Sequence, residues 1–412
     1  MENQSSGKKI IKPQTLKGFR DFLPADANAR NLIIQKIRKT FELYGFEPLE
    51  TPALEYADTL LGKYGSEADK LLYLFNDRGG RKVGLRYDQT VPLSRVIAQY
   101  PQIPRLFKRY QIQPVWRADN TQKGRYREFV QCDIDIVGTE AELADAEIIS
   151  CTLNTFNELG ITQRIVWLND RTIFDNLGFT KQEIIILDKL EKIGDQAVIE
   201  ELKKMGRKNA AEIFTLLKNT QPTPRIKKIF TALEKEGFSE KKDFLFVPYM
   251  ARGLDYYTST IFEVKVESYT SSSLAGGGRY DKLIGQFTGN DIPAVGIAFG
   301  FDRLVDVILE NNLISIGKTP SKVLVTVFNP EYEINSLDIA TQLRKSSINT
   351  EIYLDPLAKL DRQLKYADQK DIPFVVVLGP DEVQKNVVQL KNMREKTQRE
   401  ITVEELVKIL KT

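Results

Sequence analysis

The sequence predicts an α+β protein in two parts. A large unit built on an antiparallel sheet and interrupted by a helical insertion precedes a compact α/β unit. Three stretches carry this. Residues 105–117 and 126–138 read as two antiparallel strands joined by the polar ADNTQKGR, in which Gly124 supplies the turn. Residues 171–242 change to helical apolar spacing with Lys-rich surfaces, as in Ile184–Ile193 and Ala210–Leu217. Beyond 311–321, a linker with Gly317 and Pro320, strand-like runs at 323–328, 351–354 and 374–378 alternate with helical segments, the pattern of a βαβ-type unit.

Taken in order, residues 1–14 read as a loose polar tail. From Asp26 to Tyr44 the apolar Leu32, Ile33, Ile37 and Phe41 share one helical face, and Gly45 ends the helix. In the second hairpin strand, alternation puts Val130, Cys132, Ile134 and Ile136 on one face and Arg127, Gln131, Asp133 and Asp135 on the other. The first face is core. A merely solvated second face would mix Lys with Glu, so two Asp beside a Gln point to a site. The insertion carries 14 basic and 10 acidic residues over 181–242, a mild excess that suits a solvated surface. Strands resume at 260–266, the glycine-rich SSSLAGGGRYDKLIGQF follows, and a strand at 294–298 runs into a helix from Phe301. Residues 321–412 balance 14 basic against 14 acidic side chains. The expected boundaries are a tail 1–14, a unit 15–318 with its insertion at about 171–242, and a unit 319–412.

With 412 residues, 42% of them apolar and 28% charged, the chain is long enough for two or three ordinary domains and apolar enough for sizeable cores. Two cysteines, Cys132 and Cys151, and no histidine exclude a disulfide framework, a zinc finger and any His-based triad or metal cluster. The cysteine usage reads as a reduced, cytoplasmic setting. No apolar run approaches a membrane span, and the polar N-terminus shows no targeting segment, so no membrane partner is expected. The net charge of +3 neither requires nor forbids nucleic acid.

GGGRY at 276–280 is neither a dinucleotide fingerprint nor a phosphate loop, and no GxxxxGK[ST] occurs. What remains is a set of arginines at strand ends: Arg86, Arg117, Arg125, Arg127, Arg252, Arg279 and Arg303. Guanidinium forks bind phosphate oxygens bidentately, so a sheet lined with them could hold a triphosphate without a phosphate loop.

Six stretches together resemble the histidyl-tRNA synthetases among the class II aminoacyl-tRNA synthetases. They are GFRDFLP at 18–24, LRYDQT at 85–90, VWRADNTQKGRYREFVQCDIDIVG at 115–138, ARGLDYYTSTIFE at 251–263, AGGGRYD at 275–281 and PAVGIAFGFDRL at 293–304. The resemblance covers nearly the whole chain after the tail. It implies that Arg117 clamps the α-phosphate of ATP and Arg303 the γ-phosphate, with Arg252 bridging the amino-acid carboxylate and the α-phosphate. Asp119 stands where the class usually has Glu, on the adenine side. Arg125, or the neighbouring Gln122 and Lys123, belongs to the loop near nucleotide and tRNA. Asp88, Thr90 and Gln131 match positions that hold the α-amino group, and Asp135 and Tyr257 those that recognise the imidazole. Tyr256 and Tyr280 would wall the pocket. The implied partners are L-histidine, ATP with Mg²⁺, tRNA(His) and a second copy of the chain, with no metal held by protein side chains. The C-terminal unit resembles an anticodon-binding domain.

Two other readings compete. A non-catalytic paralogue, such as the synthetase-like regulatory subunit of ATP phosphoribosyltransferase, would keep the fold without charging. The presence of Arg252, Asp88 and a C-terminal unit argues against it. A class II enzyme for another amino acid is opposed by QCDIDIVG and GLDYY.

Overall fold

The computed structural model describes residues 11–64, 69–121, 124–253, 256–267, 269 and 273–411. Residues 1–10 of the expected tail, and Gln122 and Lys123, lie outside the described residues. The chain forms two compact units, Met1–Asp21 with Ile33–Ile314, and Phe22–Leu32 with Ser315–Thr412.

In the large unit the strands run β1 (Glu47–Pro48), β2 (Leu54–Tyr56), β3 (Leu74–Asn76), β4 (Lys82–Leu85), β5 (Phe107–Trp116), β6 (Glu128–Val137), β7 (Arg164–Asp170), β8 (Phe244–Phe246), β9 (Thr260–Val266), β10 (Ala275–Arg279) and β11 (Ala294–Gly300). Eight of them build one sheet in the order β1-β5-β6-β11-β10-β9-β7-β8, and β2, β4 and β3 make a small second one. All inner pairings are antiparallel, while the edge pairs β1–β5 and β7–β8 are parallel. The expected hairpin is β5–β6, in register from Phe107 opposite Val137 to Trp116 opposite Glu128.

Alternation then divides the sheet. Cys132, Ile134 and Ile136 of β6 and Val295, Ile297 and Phe299 of β11 point into a core with Ile33, Ile37 and Phe41 of the helix Pro24–Leu43. Helices Glu142–Glu158 and Phe301–Glu310 complete that face through Ile148, Ile149 and Leu304. The opposite face of the same strands is polar and lines a cavity.

The segment 171–242 folds as five helices joined by turns and loops, but it contributes to two cores. Helices Thr172–Asn176, Lys181–Leu187, Leu190–Lys204 and Ala210–Lys218 gather Phe174, Ile184, Val198, Leu202 and Phe214 into a second cluster, shared with Val247, Met250, Tyr257 and Ile261. The last helix, Pro224–Lys235, capped by the Thr223 hydroxyl, sends Ile226, Ile229 and Leu233 into the main core instead. The glycine-rich AGGGR is the central strand β10. Ladder pairing on both sides overrides the weak strand preference of glycine, because side chains would not fit there.

In the smaller unit β12 (Val323–Val325), β13 (Thr350–Ile352) and β14 (Phe374–Val377) are parallel. β15 (Val388–Asn392) and β16 (Thr397–Ile401) extend that sheet antiparallel, giving the order β13-β12-β14-β15-β16. Val323 and Val325 pack with Ile339 and Leu343, and Leu324 and Val375 pack in a second cluster with Ala367. Among the described residues no helix is long and apolar enough to cross a membrane.

Candidate active site

The floor of the cavity is set by register. Across the ladder Gln131, Asp133 and Asp135 of β6 stand opposite Gly300, Ala298 and Gly296 of β11. Ala298 and Gly296 in turn stand opposite Gly276 and Gly278 of β10. The missing side chains leave room for working ones. A Cβ at Gly296 would lie 1.9 Å from Oδ1 of Asp135, one at Gly276 would lie 2.5 Å from Nη1 of Arg252, and one at Gly278 would lie 2.9 Å from the Tyr257 ring. Asp135, Arg252 and Tyr257 therefore lie against bare main chain.

One side of the cavity is acidic and buried. Asp88 precedes the helix Thr90–Gln99, and its Oδ1 accepts hydrogen bonds from the Tyr64 hydroxyl and the Val91 amide, both at 3.1 Å. Asp135 accepts from the Tyr280 hydroxyl, and Nη2 of the fully buried Arg109 lies 2.7 Å from its other oxygen, an ion pair without hydrogen-bond alignment. Burial pushes the carboxyls of Asp88, Asp133 and Asp135 above the usual range, Asp133 furthest, against the pull of Arg109. Oδ2 of Asp88, Oε1 of Gln131 and Oδ1 of Asp133 are buried with no hydrogen-bond partner among the described residues. Tyr256 lies between Tyr257 and Tyr280, tilted against the first and edge-on to the second, with ring centroids 4.8 and 6.0 Å away.

The other side is cationic. Arg117 donates from Nε to the Tyr87 carbonyl at 3.0 Å, and its guanidinium lies 4.2 Å over the Tyr87 ring and 5.2 Å over that of Phe129. Arg303 donates to the carbonyls of Gly124 and Ser273. Among the described residues no carboxylate pairs with either. Burial first, and the nearby Arg125 and Arg117, push Arg303 down from its ordinary value, against Tyr269 and Glu263. Arg125 forks onto Asp119 with two bonds of 2.9 Å, and Arg252 pairs with Glu263, which also meets Lys265 at 3.1 Å.

Asp88, Thr90, Arg117, Asp119, Arg125, Gln131, Asp135, Arg252, Tyr256, Tyr257, Tyr280 and Arg303 all line this one cavity of about 460 Å³. Three of the seven strand-end arginines do not. Arg86 is spent on the carbonyls of Thr51, Pro52 and Pro114. Arg127 donates to the Asp119 carbonyl. Arg279 is buried against Asp145, with further bonds to the carbonyls of Thr139 and Ala141. These are framework arginines, and a phosphate role in this cavity is corrected for them: none lines it, and each is engaged by protein acceptors. Sequence reasoning missed Arg109, Tyr64, Asp188 and Phe129 in or beneath the site. For Arg109 a signal existed, since Arg109, Gln111 and Gln113 alternate through β5 as a polar face opposite that of β6.

An acceptor-rich recess beside clustered guanidinium groups suits a ligand that is cationic at one end and carries or meets a polyanion at the other. The Histidyl-tRNA synthetase family model matches residues 18–304. The chain belongs to the histidyl-tRNA synthetase family. An Anticodon binding domain model matches residues 322–412. The histidine-tRNA ligase of Cytophaga hutchinsonii is 40% identical, over 96% of this chain and 99% of that protein. That of Aeropyrum pernix is 38% identical, over 90% and 92%. The crystal structure of histidyl-tRNA synthetase from Nostoc superposes with a TM-score of 0.86 at 28% identity, covering 98% of this chain and 99% of that one. An ATP phosphoribosyltransferase regulatory subunit/histidyl-tRNA synthetase from Bacillus halodurans, 21% identical with a TM-score of 0.71, shares the fold.

Proposed function

We propose that the chain ligates L-histidine to tRNA(His) with ATP, through a histidyl-adenylate, releasing pyrophosphate and then AMP. The observation that carries this is the opposed polarity of one cavity: unpartnered buried acceptors on one side and, on the other, Arg117 and Arg303 with no paired carboxylate among the described residues.

In this reading the substrate's α-ammonium is held by Asp88, Thr90 and Gln131, and its imidazole by Asp135 and Tyr257, with Tyr256 and Tyr280 as walls. A ring N–H satisfies a buried carboxylate, whereas a side chain lacking that donor leaves it unpaired, and such sites discriminate strongly. The nucleophile is the carboxylate of free histidine, ionised at neutral pH, so the first step needs no general base. One carboxylate oxygen attacks the α-phosphorus, the bond from that phosphorus to the bridging oxygen breaks, and pyrophosphate leaves with the electron pair. The barrier is the approach of an anion to a polyanion. Arg117 and Arg252 neutralise the α-phosphate and the carboxylate, and Arg303 the γ-phosphate. Asp119 and Arg125 border the nucleotide. Mg²⁺ arrives as the counter-ion of ATP and adds charge neutralisation on the phosphates. The terminal ribose hydroxyl of the tRNA then attacks the acyl carbon, displacing AMP.

The catalytic unit spans 15–318 with its helical insertion toward the acceptor stem. Residues 319–412 bind the anticodon region, and the working form is a homodimer. The test is ATP–pyrophosphate exchange with each of the twenty amino acids, followed by charging of tRNA. Exchange stimulated by histidine alone is expected; exchange stimulated by another amino acid, or by none, sinks the reading.

A further inference from the structure

Three carboxylates converge on the acidic side of the cavity, and only one of them has a cation against it. Asp135 accepts from the Tyr280 hydroxyl at Oδ1 and has Arg109 against Oδ2 as an ion pair, with no hydrogen bond to Oδ2 among the described residues. Asp88 spends Oδ1 on Tyr64 and Val91 and keeps Oδ2 free of hydrogen bonds among the described residues. Asp133, 2% exposed, has its Oδ1 unpartnered, and no ion pair reaches it among the described residues. A buried carboxylate left in this way is costly unless a ligand supplies the missing donor.

The register says which part of the ligand that is. Asp133 stands level with Ala298 and Gly276, and the space over Gly276 is filled by the guanidinium of Arg252. Asp135 stands one step further along, level with Gly296 and Gly278, where Tyr257 lies. Side chains two residues apart on a strand are roughly 6.6 Å apart. An amino acid whose carboxylate meets Arg252 and whose ring meets Tyr257 and Asp135 thus brings its α-ammonium past Asp133. Asp88 and Asp133 both line this cavity, so the two acids border one volume, and the charge of Asp88 raises the Asp133 carboxyl further.

We propose that Asp133 is the second carboxylate of the ammonium site, its Oδ1 accepting an N–H from the α-ammonium of the amino-acid substrate opposite Asp88. This rests on the histidine-ligase reading. The cation would neutralise Asp88 and Asp133, which no ion pair reaches among the described residues, whereas Asp135 has Arg109. It also gives amino-group recognition a redundancy: Asp88 and Gln131 place the ammonium, and Asp133 makes its positive charge obligatory.

The experiment compares wild type with Asp133→Asn in histidine-dependent pyrophosphate exchange. Inhibition is measured with histidinol, which keeps the amino group, and with 3-(imidazol-4-yl)propionate, which lacks it. The expected result is a rise of tenfold or more in KM for histidine and in Ki for histidinol, with KM for ATP and Ki for the propionate within twofold of wild type. Unchanged KM for histidine overturns the proposal, and so does equal weakening of all three imidazole compounds, which would place Asp133 at the ring. If the variant fails to fold, a crystal structure of the wild type with L-histidine decides: Asp133 Oδ1 within hydrogen-bond distance of the α-nitrogen supports the proposal, and any other partner refutes it. A wild type without histidine-dependent exchange would instead refute the ligase reading itself.

Discussion

Replacing Gly276 by alanine should damage catalysis without touching any charged residue. The new methyl carbon would lie 2.5, 2.7 and 2.8 Å from Nη1, Cζ and Nη2 of Arg252, against an ordinary contact of 3.4 Å or more. The guanidinium must retreat by about 0.9 Å, and it can, because it is the end of a flexible side chain. A misplacement of roughly 1 Å at a reacting centre costs on the order of 10²-fold in rate, or about 2.7 kcal/mol of barrier. Folding should be nearly indifferent, since alanine in a strand offsets local crowding by restricting the unfolded chain by roughly 0.5–1 kcal/mol. The assay is histidine-dependent pyrophosphate exchange beside a thermal melt, run on Gly276→Ala, Arg252→Ala and the double variant. Loss of one positioned electrostatic donor costs about 2.7–4 kcal/mol, which sets the expectation for Arg252→Ala. If the methyl acts only through Arg252, the double variant should be no slower than Arg252→Ala alone. Wild-type exchange by Gly276→Ala, or fully multiplicative losses in the double variant, would refute the reasoning.

Three further outcomes are expected. Asp135→Asn strips Arg109 of its ion-pair partner deep in the sheet, so denaturant unfolding should show a loss of about 3–5 kcal/mol, with KM for histidine raised as well. Arg279→Met leaves Asp145 with only the Arg225 cation, at 3.9 Å, among the described residues and should lose up to roughly 3–5 kcal/mol of stability, while KM for ATP in the folded fraction stays at the wild-type value; a selective rise in that KM would return Arg279 to the phosphate site. Burial raises the Asp133 carboxyl in the folded protein above its unfolded value of about 3.9, so the stability its protonated form contributes is lost as pH rises through the folded pKa. Without substrate, Asp133→Asn should therefore melt above the wild type at pH 7–8, with the gap closing toward pH 4; a gap that is constant with pH would show that Asp133 is not held in an unfavourable charge state.

Much of the frame was legible because period and composition reported it directly. The β5–β6 hairpin, the helix Pro24–Leu43 and the parallel core of the smaller unit follow from apolar spacing. β16 was not legible: four of its five residues are exposed, so TQREI shows no apolar alternation to read. β10 was hidden for the opposite reason, since its glycines are there to make room and carry no strand preference. Within the site, the two acids beside Gln131 on one face of β6 were visible as chemistry, and the cavity they line lies on that face. Sequence alone could not sort the arginines. Whether a guanidinium meets Asp145, as Arg279 does, or no carboxylate among the described residues, as Arg117 does, depends on a partner more than a hundred positions away or on none.

The glycines beneath the cavity give this site a direction of change. Gly276, Gly278 and Gly296 already have the smallest possible side chain, so every substitution there can only shrink the pocket, and none can enlarge it. A redesign aimed at a bulkier amino acid must take its volume from side chains such as Tyr256, Tyr257 or Tyr280, aromatic walls whose removal also opens the recess to water. Drift at the floor is therefore a ratchet toward lost activity and never a path to a larger substrate. A library that holds these three positions fixed and varies the tyrosines searches a side of the pocket that can give way.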